Sequence, residues 1–550
     1  MRRALPFLLA GLVAAALCLW NLGGKYLWQD EAACALLAER WIRLGKPFAW
    51  DGTNLVTMDE FRADRGAAEL DRHTRDAASA VRYFAENGDF KADTTWVGQP
   101  WGQFVLAGTS LALLGHGTVP ARLPFALAGV ATALVLFAIA RRRFGGRATA
   151  WVALFLLCGN TFWFLHVRQC RYYGSATLFL LLTFAAYLRW QEGRRFGAAL
   201  FVISAWCWFQ NDFGSPWPVF GVMLFDALLR REGRRGALAT FAALGLALAP
   251  FVVYYELGSR LKPPDATWAE RFLGTLFNAN QYQFPLLALV PLAVLARKPR
   301  EPEPGARRPL LLAAAILVGQ YLWMPIAGPF AFYRYIVDLT PLAALVLAHL
   351  VVAGSNRLAA RARRPALAPR LAAAATIVLL VTPWAALPVT TAIPARFRTN
   401  AHPGTLVRPE LRAFAEHLGG GTPDPNRAAV EFLEPRLRPG DEILVAYEDL
   451  PIAFYTGHPV RGGIAAFRVR DASAGTPRFA VLRSRGAVPF LHWPLFETAL
   501  KDGAATGRWR ENALESPGVP WGNIPDPIGF DLLWRSSGTP PVLVLEHDPN

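Results

Sequence analysis

Polar and apolar positions along this chain fall into long blocks. Met1-Arg2-Arg3 precedes an apolar run to Trp20, and further apolar stretches lie near 119–140, 148–165, 174–189, 196–211, 215–229, 237–255, 283–296, 310–326, 336–353 and 371–391. About 20 apolar residues in helical form cross a bilayer, so the pattern predicts about eleven spans. The first run ends without a small-x-small cleavage site, and Leu17 ahead of Cys18 departs from a lipoprotein-type site. It therefore reads as a retained span with the N-terminus inside.

Two regions break the pattern. The first outer loop, about Leu22–Thr118, is mixed, with 13 acidic and 10 basic residues between Gly24 and Gln103. Within it, Glu31–Leu44 has the spacing of an amphipathic helix and Trp101–Leu114 that of a short apolar one, both suited to the outer membrane face. From about Pro394 to Asn550 the chain is polar and rich in Pro and Gly, and its runs Glu442–Tyr447, Phe479–Leu482 and Val542–Leu545 predict strands. The expected fold class is an α-helical polytopic membrane protein, residues 1–393, with a small extracytoplasmic α/β domain, residues 394–550. No internal repeat is evident, which disfavours transporters built from inverted repeats.

Composition agrees. Of the 550 residues 53% are hydrophobic and only 18% charged, with a mean hydropathy of +0.25. A soluble protein carries roughly 25% charged residues, and a disordered one combines low hydrophobicity with high charge, so both classes are excluded. The net charge of +16 is a matter of placement. Inner segments (Met1–Arg3, Arg141–Arg147, Arg189–Arg195, Arg230–Arg235, Arg297–Arg308, Ser355–Arg370) hold 23 Lys and Arg, against 6 in the short outer loops. That asymmetry orients the chain N-in and C-out, and with no basic helix or Cys/His spacing it leaves no case for nucleic-acid binding. The five cysteines are scattered and suit small buried hydrophobes rather than a disulfide framework.

A charge within a span costs at least a few kcal/mol, so the positions of ionisable residues are informative. The spans are nearly clean, and charge gathers at their outer ends: Asp30-Glu31, Arg168, Arg171, Asp212, Glu256, Arg334 and Asp338, with tyrosines 172, 173, 254, 255, 333 and 335 at the same level. The tyrosines fit an interface belt; the charges fit an outward-facing polar site. Asp30-Glu31 opens a helix and suits capping, or equally a carboxylate that deprotonates an incoming hydroxyl or amine. Arg168-Gln169-Cys170-Arg171-Tyr172-Tyr173 and Phe332-Tyr333-Arg334-Tyr335 place arginines outside, against the charge rule. Headgroup snorkelling accounts for them, as does a lipid phosphate gripped by guanidinium forks.

Four stretches in this order resemble the GT-C superfamily of membrane glycosyltransferases, in the branch of protein O-mannosyltransferases and lipid A aminoarabinose transferases. They are Trp28-Gln29-Asp30-Glu31-Ala32; Gly98-Gln99-Pro100-Trp101 followed by Ala121–Gly129 and Arg141–Gly145; Arg168–Tyr173; and Tyr333-Arg334-Tyr335. Gly440–Ile443 and Phe454–Val460 are similar to the outer domain of bacterial members. The resemblance covers most of the chain, most strongly residues 25–190. It implies a bacterial inner-membrane enzyme that moves a sugar from a polyprenyl-phosphate donor to a lipid, glycan or protein acceptor on the extracytoplasmic side.

By the same resemblance Asp30 matches the general base, with Glu31 beside it, and Arg168, Arg171, Tyr173, Arg334 and Tyr335 match donor-phosphate positions. Many relatives carry Lys or His before Pro-Pro where this chain has Gln99-Pro100-Trp101, so Gln99 is a first-loop contact of altered chemistry. No cofactor is called for, and a divalent metal is left open. A single displacement would invert the anomeric centre. Alternatives that remain open are a polymerase or ligase of lipid-pyrophosphate-linked glycans and, in another class, a transporter or flippase.

Overall fold

A computed structural model of the chain describes residues 4–58, 74–230, 233–257, 267–285, 307–327, 333–381, 423–471, 475–483, 493–518 and 540–549, with isolated positions at 289, 292–293, 411, 415 and 418–420. The expected span at 283–296, the end of that at 371–391, and residues 394–410 lie largely or wholly outside these. Contacts divide the chain into two compact units: residues 1–20, 125–415 and 524–528 form one, and residues 21–124, 416–523 and 529–550 the other. The expected division at 393/394 followed chain order; by contact, the first outer loop groups with the C-terminal region.

The first unit is helical throughout its described residues. Its helices include Leu5–Leu19, Arg147–Cys158, Thr161–Val167, Tyr173–Gln191, Gly197–Phe209, Pro216–Leu228, Arg234–Tyr254, Arg307–Ala327, Thr340–Arg361 and Ala368–Val381, with the greater part of Thr118–Arg143. Prolines 6, 216 and 341 stand in the first turn of their helices, where no intrahelical N–H is lost. Arg141, Arg142 and Arg143 close the last turn of Thr118–Arg143, complementing its dipole. Leu8, Leu12, Ile203, Phe225, Leu246 and Val253 are all exposed. Such a surface is costly in water and at home in hydrocarbon, where helices satisfy their own backbones. This is the surface of a polytopic membrane protein. Among the described residues four helices are long and apolar enough to cross a bilayer: Thr118–Arg143, Arg234–Tyr254, Arg307–Ala327 and Val337–Arg361. Five shorter apolar helices accompany them.

One expected span is interrupted. Residues 148–165 read as a continuous run, but Arg147–Cys158 and Thr161–Val167 meet at 71°. Asn160 sits in the break and caps the second helix, its Oδ1 accepting from Trp163 N at 2.8 Å while its Nδ2 donates to the carbonyls of Tyr282 and Gln283 at 3.0 and 2.7 Å. Gly159 admits Leu380 there; a Cβ would lie 2.7 Å from that side chain and 2.9 Å from Phe155 O.

The second unit combines the first loop with a mixed five-stranded sheet of β1 (Ile443–Val445), β2 (Val460–Gly462), β3 (Phe479–Leu482), β4 (Gly507–Pro517) and β5 (Pro541–Pro549), in the order β2-β1-β3-β5-β4. β1 pairs parallel with β2 and β3, and β5 pairs antiparallel with β3 and β4. Apolar β1 is buried throughout, and Leu444, Ala480, Leu545 and Phe496 share one core. The small α/β domain and three of its strands were thus expected; β2 and β4 carry too little apolar alternation to stand out. From the first loop, helices Gln29–Leu44 and Gly102–Leu114 pack so closely that a Cβ on Gly108 would lie 2.8 Å from Ala38 O. Buried Arg40 ties the following turn down, pairing with Asp51 at 2.7 Å and donating to the carbonyls of Phe48, Ala49 and Asn54.

Candidate active site

Each unit carries part of the expected chemistry. In the second, Gln29–Leu44 begins with Asp30 and Glu31 in its first turn, where the helix dipole favours carboxylates. Both side chains are fully buried. Arg122 grips Glu31 with two prongs, Nε to Oε1 at 2.8 Å and Nη2 to Oε2 at 2.5 Å, and donates to the carbonyls of Leu22, Lys25 and Tyr26. Glu31 also accepts a long bond, 3.5 Å, from Trp28 N. The Arg122 fork ties Glu31 to the loop, and Asp30 lies buried beside it in the same turn. Arg122 lies within the stretch Ala121–Gly129, inside the apolar run near 119–140. The available signal was a lone cation inside an apolar run, which must have a partner.

Gln99 lies just ahead of helix Gly102–Leu114 and accepts from Gln103 Nε2 at 3.1 Å, a local contact within that turn.

In the first unit, Arg168 and Arg171 are each only 5% exposed although they occupy a loop. Arg168 lies over the Phe164 ring at 5.0 Å and donates to Trp20 O; Arg171 lies 5.8 Å from the centre of the Tyr172 ring. Tyr173, buried, starts helix Tyr173–Gln191 and packs edge-on to His166 at 5.1 Å. Arg334 stands in the turn Tyr333–Tyr335 with its guanidinium over Tyr335 at 5.6 Å. Burial, with Tyr173 and Asp212 adding to it, holds the Tyr172 phenol well above its ordinary value against the opposing pull of Arg171. Arg168, Arg171 and Arg334 are thus each set against an aromatic ring. A guanidinium set backed by aromatic faces suits a phosphate oxyanion on an apolar tail. Among the described residues no three His, Cys, Asp or Glu side chains gather to hold a metal ion.

The fold of the chain is similar to that of membrane transferases of known structure. Over 98% of this chain and 97% of the other, the structure is similar to ArnT, the lipid A aminoarabinose transferase, of Cupriavidus metallidurans bound to undecaprenyl phosphate, with a TM-score of 0.55 at 15% identity. The apo form of that protein matches with the same score at 14% identity. The Archaeoglobus fulgidus oligosaccharyltransferase tethered to an acceptor peptide matches with a TM-score of 0.50 at 11% identity, over 94% of this chain and 74% of that one. No protein-family model and no curated protein sequence matches the chain.

Proposed function

We propose that this protein is an integral-membrane glycosyltransferase that takes a sugar from a polyprenyl-phosphate donor and passes it to a lipid, glycan or protein acceptor on the extracytoplasmic face of a bacterial inner membrane. The observation that carries the reading is the end-to-end likeness to a structure holding undecaprenyl phosphate, in a chain whose first loop buries the two carboxylates Asp30 and Glu31. Arginines 168, 171 and 334, each set against an aromatic ring, support the same donor class.

In the proposed reaction Asp30 takes the proton from the acceptor hydroxyl or amine as that atom attacks the anomeric carbon. The bond from that carbon to the phosphate oxygen breaks, and polyprenyl phosphate leaves with the electron pair. Arg171 and Arg334, helped by Arg168, Tyr173 and Tyr335, stabilise the negative charge that grows on the leaving oxygen. Glu31 takes no proton; with Arg122 it holds the loop in shape. One displacement inverts the anomeric centre.

The test is incubation of the purified protein with a panel of polyprenyl-phosphate and polyprenyl-pyrophosphate sugars and a mixed acceptor extract. Release of polyprenyl monophosphate and a product of inverted configuration is expected. Release of pyrophosphate-linked lipid would favour a glycan ligase, and retention would refute the single displacement.

A further inference from the structure

Residues Leu22–Leu27 lead towards Asp30. Their backbone groups are claimed from elsewhere, largely by the C-terminal part of the same unit. Tyr26 N donates to Asp424 Oδ2 at 2.7 Å, Leu27 N donates to the Tyr455 hydroxyl at 2.9 Å, and Leu27 O accepts from Asn426 Nδ2 at 3.1 Å. Gly23 O accepts from Arg427 Nη2 at 2.9 Å, and the carbonyls of Leu22, Lys25 and Tyr26 accept from Arg122. The Tyr455 hydroxyl also meets Thr118 Oγ1 at 2.6 Å, and its ring stacks on Tyr26 with centroids 4.0 Å apart.

Immediately before Asp30, the buried Gln29 side chain is held at both ends by helix Asp449–Thr456. Its Nε2 donates to Asp449 Oδ1 at 2.8 Å, and its Oε1 accepts from Leu450 N at 3.3 Å. At the other end of that helix Phe454 stacks on His116 at 4.1 Å, and His116 meets Glu39 of helix Gln29–Leu44 at 2.7 Å. The aligning contacts thus bracket the first turn from which Asp30 projects. Residues more than four hundred positions apart in sequence meet here, so local propensity cannot produce the arrangement.

We propose that Asp449 and Tyr455 are positioning residues for Asp30, and that helix Asp449–Thr456 of the C-terminal domain sets where the base stands. The inference rests on the reading of Asp30 as the base. It gives the C-terminal domain a part in the reaction, through the Gln29–Asp449 and Leu27–Tyr455 bonds. A base must stand within hydrogen-bond reach of its proton, and a misplacement of about 1 Å costs on the order of a hundredfold in rate.

The experiment measures donor turnover by the full-length protein in detergent, separating kcat from KM for the polyprenyl-phosphate sugar. The variants are Tyr455→Phe, Asp449→Leu, Asp449→Asn and Asp30→Asn. Tyr455→Phe deletes a single oxygen and carries the test if Asp449→Leu fails to fold. It is expected to lower kcat about tenfold, within the range set by such misplacements, with donor KM within about twofold. Asp449→Asn, which keeps an acceptor oxygen for Gln29, is expected to recover most of the kcat lost in Asp449→Leu. Tyr455→Phe added to Asp30→Asn is expected to cost nothing further, since there is no base left to position. Wild-type kcat in folded Tyr455→Phe, or a loss that multiplies with that of Asp30→Asn, would overturn the proposal while leaving the base reading intact. Wild-type turnover in Asp30→Asn would overturn both.

Discussion

Replacing Arg122 with Met is the sharpest perturbation the first loop offers. The guanidinium makes five hydrogen bonds, two to the Glu31 carboxylate and three to the carbonyls of Leu22, Lys25 and Tyr26. Met keeps much of the side chain's length and apolar stem but none of these donors. Glu31 is 0% exposed at its side chain and Arg122 only 11%, so solvent cannot stand in for the lost partner. Removing one member of a buried pair costs about 3–5 kcal/mol, because the other charge stays behind uncompensated. Removing both, in Arg122→Met/Glu31→Leu, leaves mainly the three carbonyls short of donors and should cost about 1–3 kcal/mol. The double variant is therefore expected to be more stable than Arg122→Met by about 2 kcal/mol. Reversible unfolding in mixed detergent micelles, followed by tryptophan fluorescence across the full cycle, measures this. A cost for Arg122→Met below about 1 kcal/mol, the range of a surface pair, would refute the assignment of Glu31 to a structural bond, as would strict additivity.

Three further outcomes follow from the same unit. Arg40→Met leaves the carbonyls of Phe48, Ala49 and Asn54 without their donor and should destabilise the protein by about 2–4 kcal/mol, read in the same unfolding assay. Burial pushes the Asp449 carboxyl up to about 6, against the pull of Gln29 and nearby backbone N–H groups. The folded state thus binds this proton more tightly than the unfolded chain, so its contribution to stability is full below the ordinary carboxylate value and lost as pH rises through about 6. The side chain keeps some solvent contact, which trims the effect to about 1–2 kcal/mol, and Asp449→Asn should flatten the stability difference between pH 5 and pH 7.5. A rise in wild-type stability over that interval, abolished by Asp449→Asn, would contradict the sign. Gly108→Val forces a side chain against Ala38 O and Ile42 and should cost about 1–3 kcal/mol, with turnover falling as helix Gln29–Leu44 shifts.

Much of the architecture was legible because membrane helices advertise themselves by composition. Helices Arg234–Tyr254 and Arg307–Ala327 fall where apolar runs were read, and Gln29–Leu44 and Gly102–Leu114 where the loop turned amphipathic or apolar. The break at Gly159-Asn160 was not legible, because it depends on the carbonyls of Tyr282 and Gln283, over a hundred residues away. β2 and β4 were hidden for a related reason: Val460-Arg461-Gly462 and the charged Gly507–Pro517 gain their strand character from neighbours rather than from their own pattern. At the candidate site the partners of each residue were not legible. Asp30 and Glu31 are adjacent and alike in sequence, and the Arg122 fork on Glu31 comes from 91 residues away. Gln29, between a tryptophan and an acidic pair, carried no signal, since its partner Asp449 comes from the C-terminal domain.

The account turns on Asp30. The most direct measurement compares single-turnover release of polyprenyl phosphate by the wild type and by Asp30→Asn, with donor binding followed separately on the same samples. Loss of release by a factor on the order of 10²–10⁴, as for removal of a general base, with donor binding preserved, is the expected result. Equal release by both proteins would contradict the account.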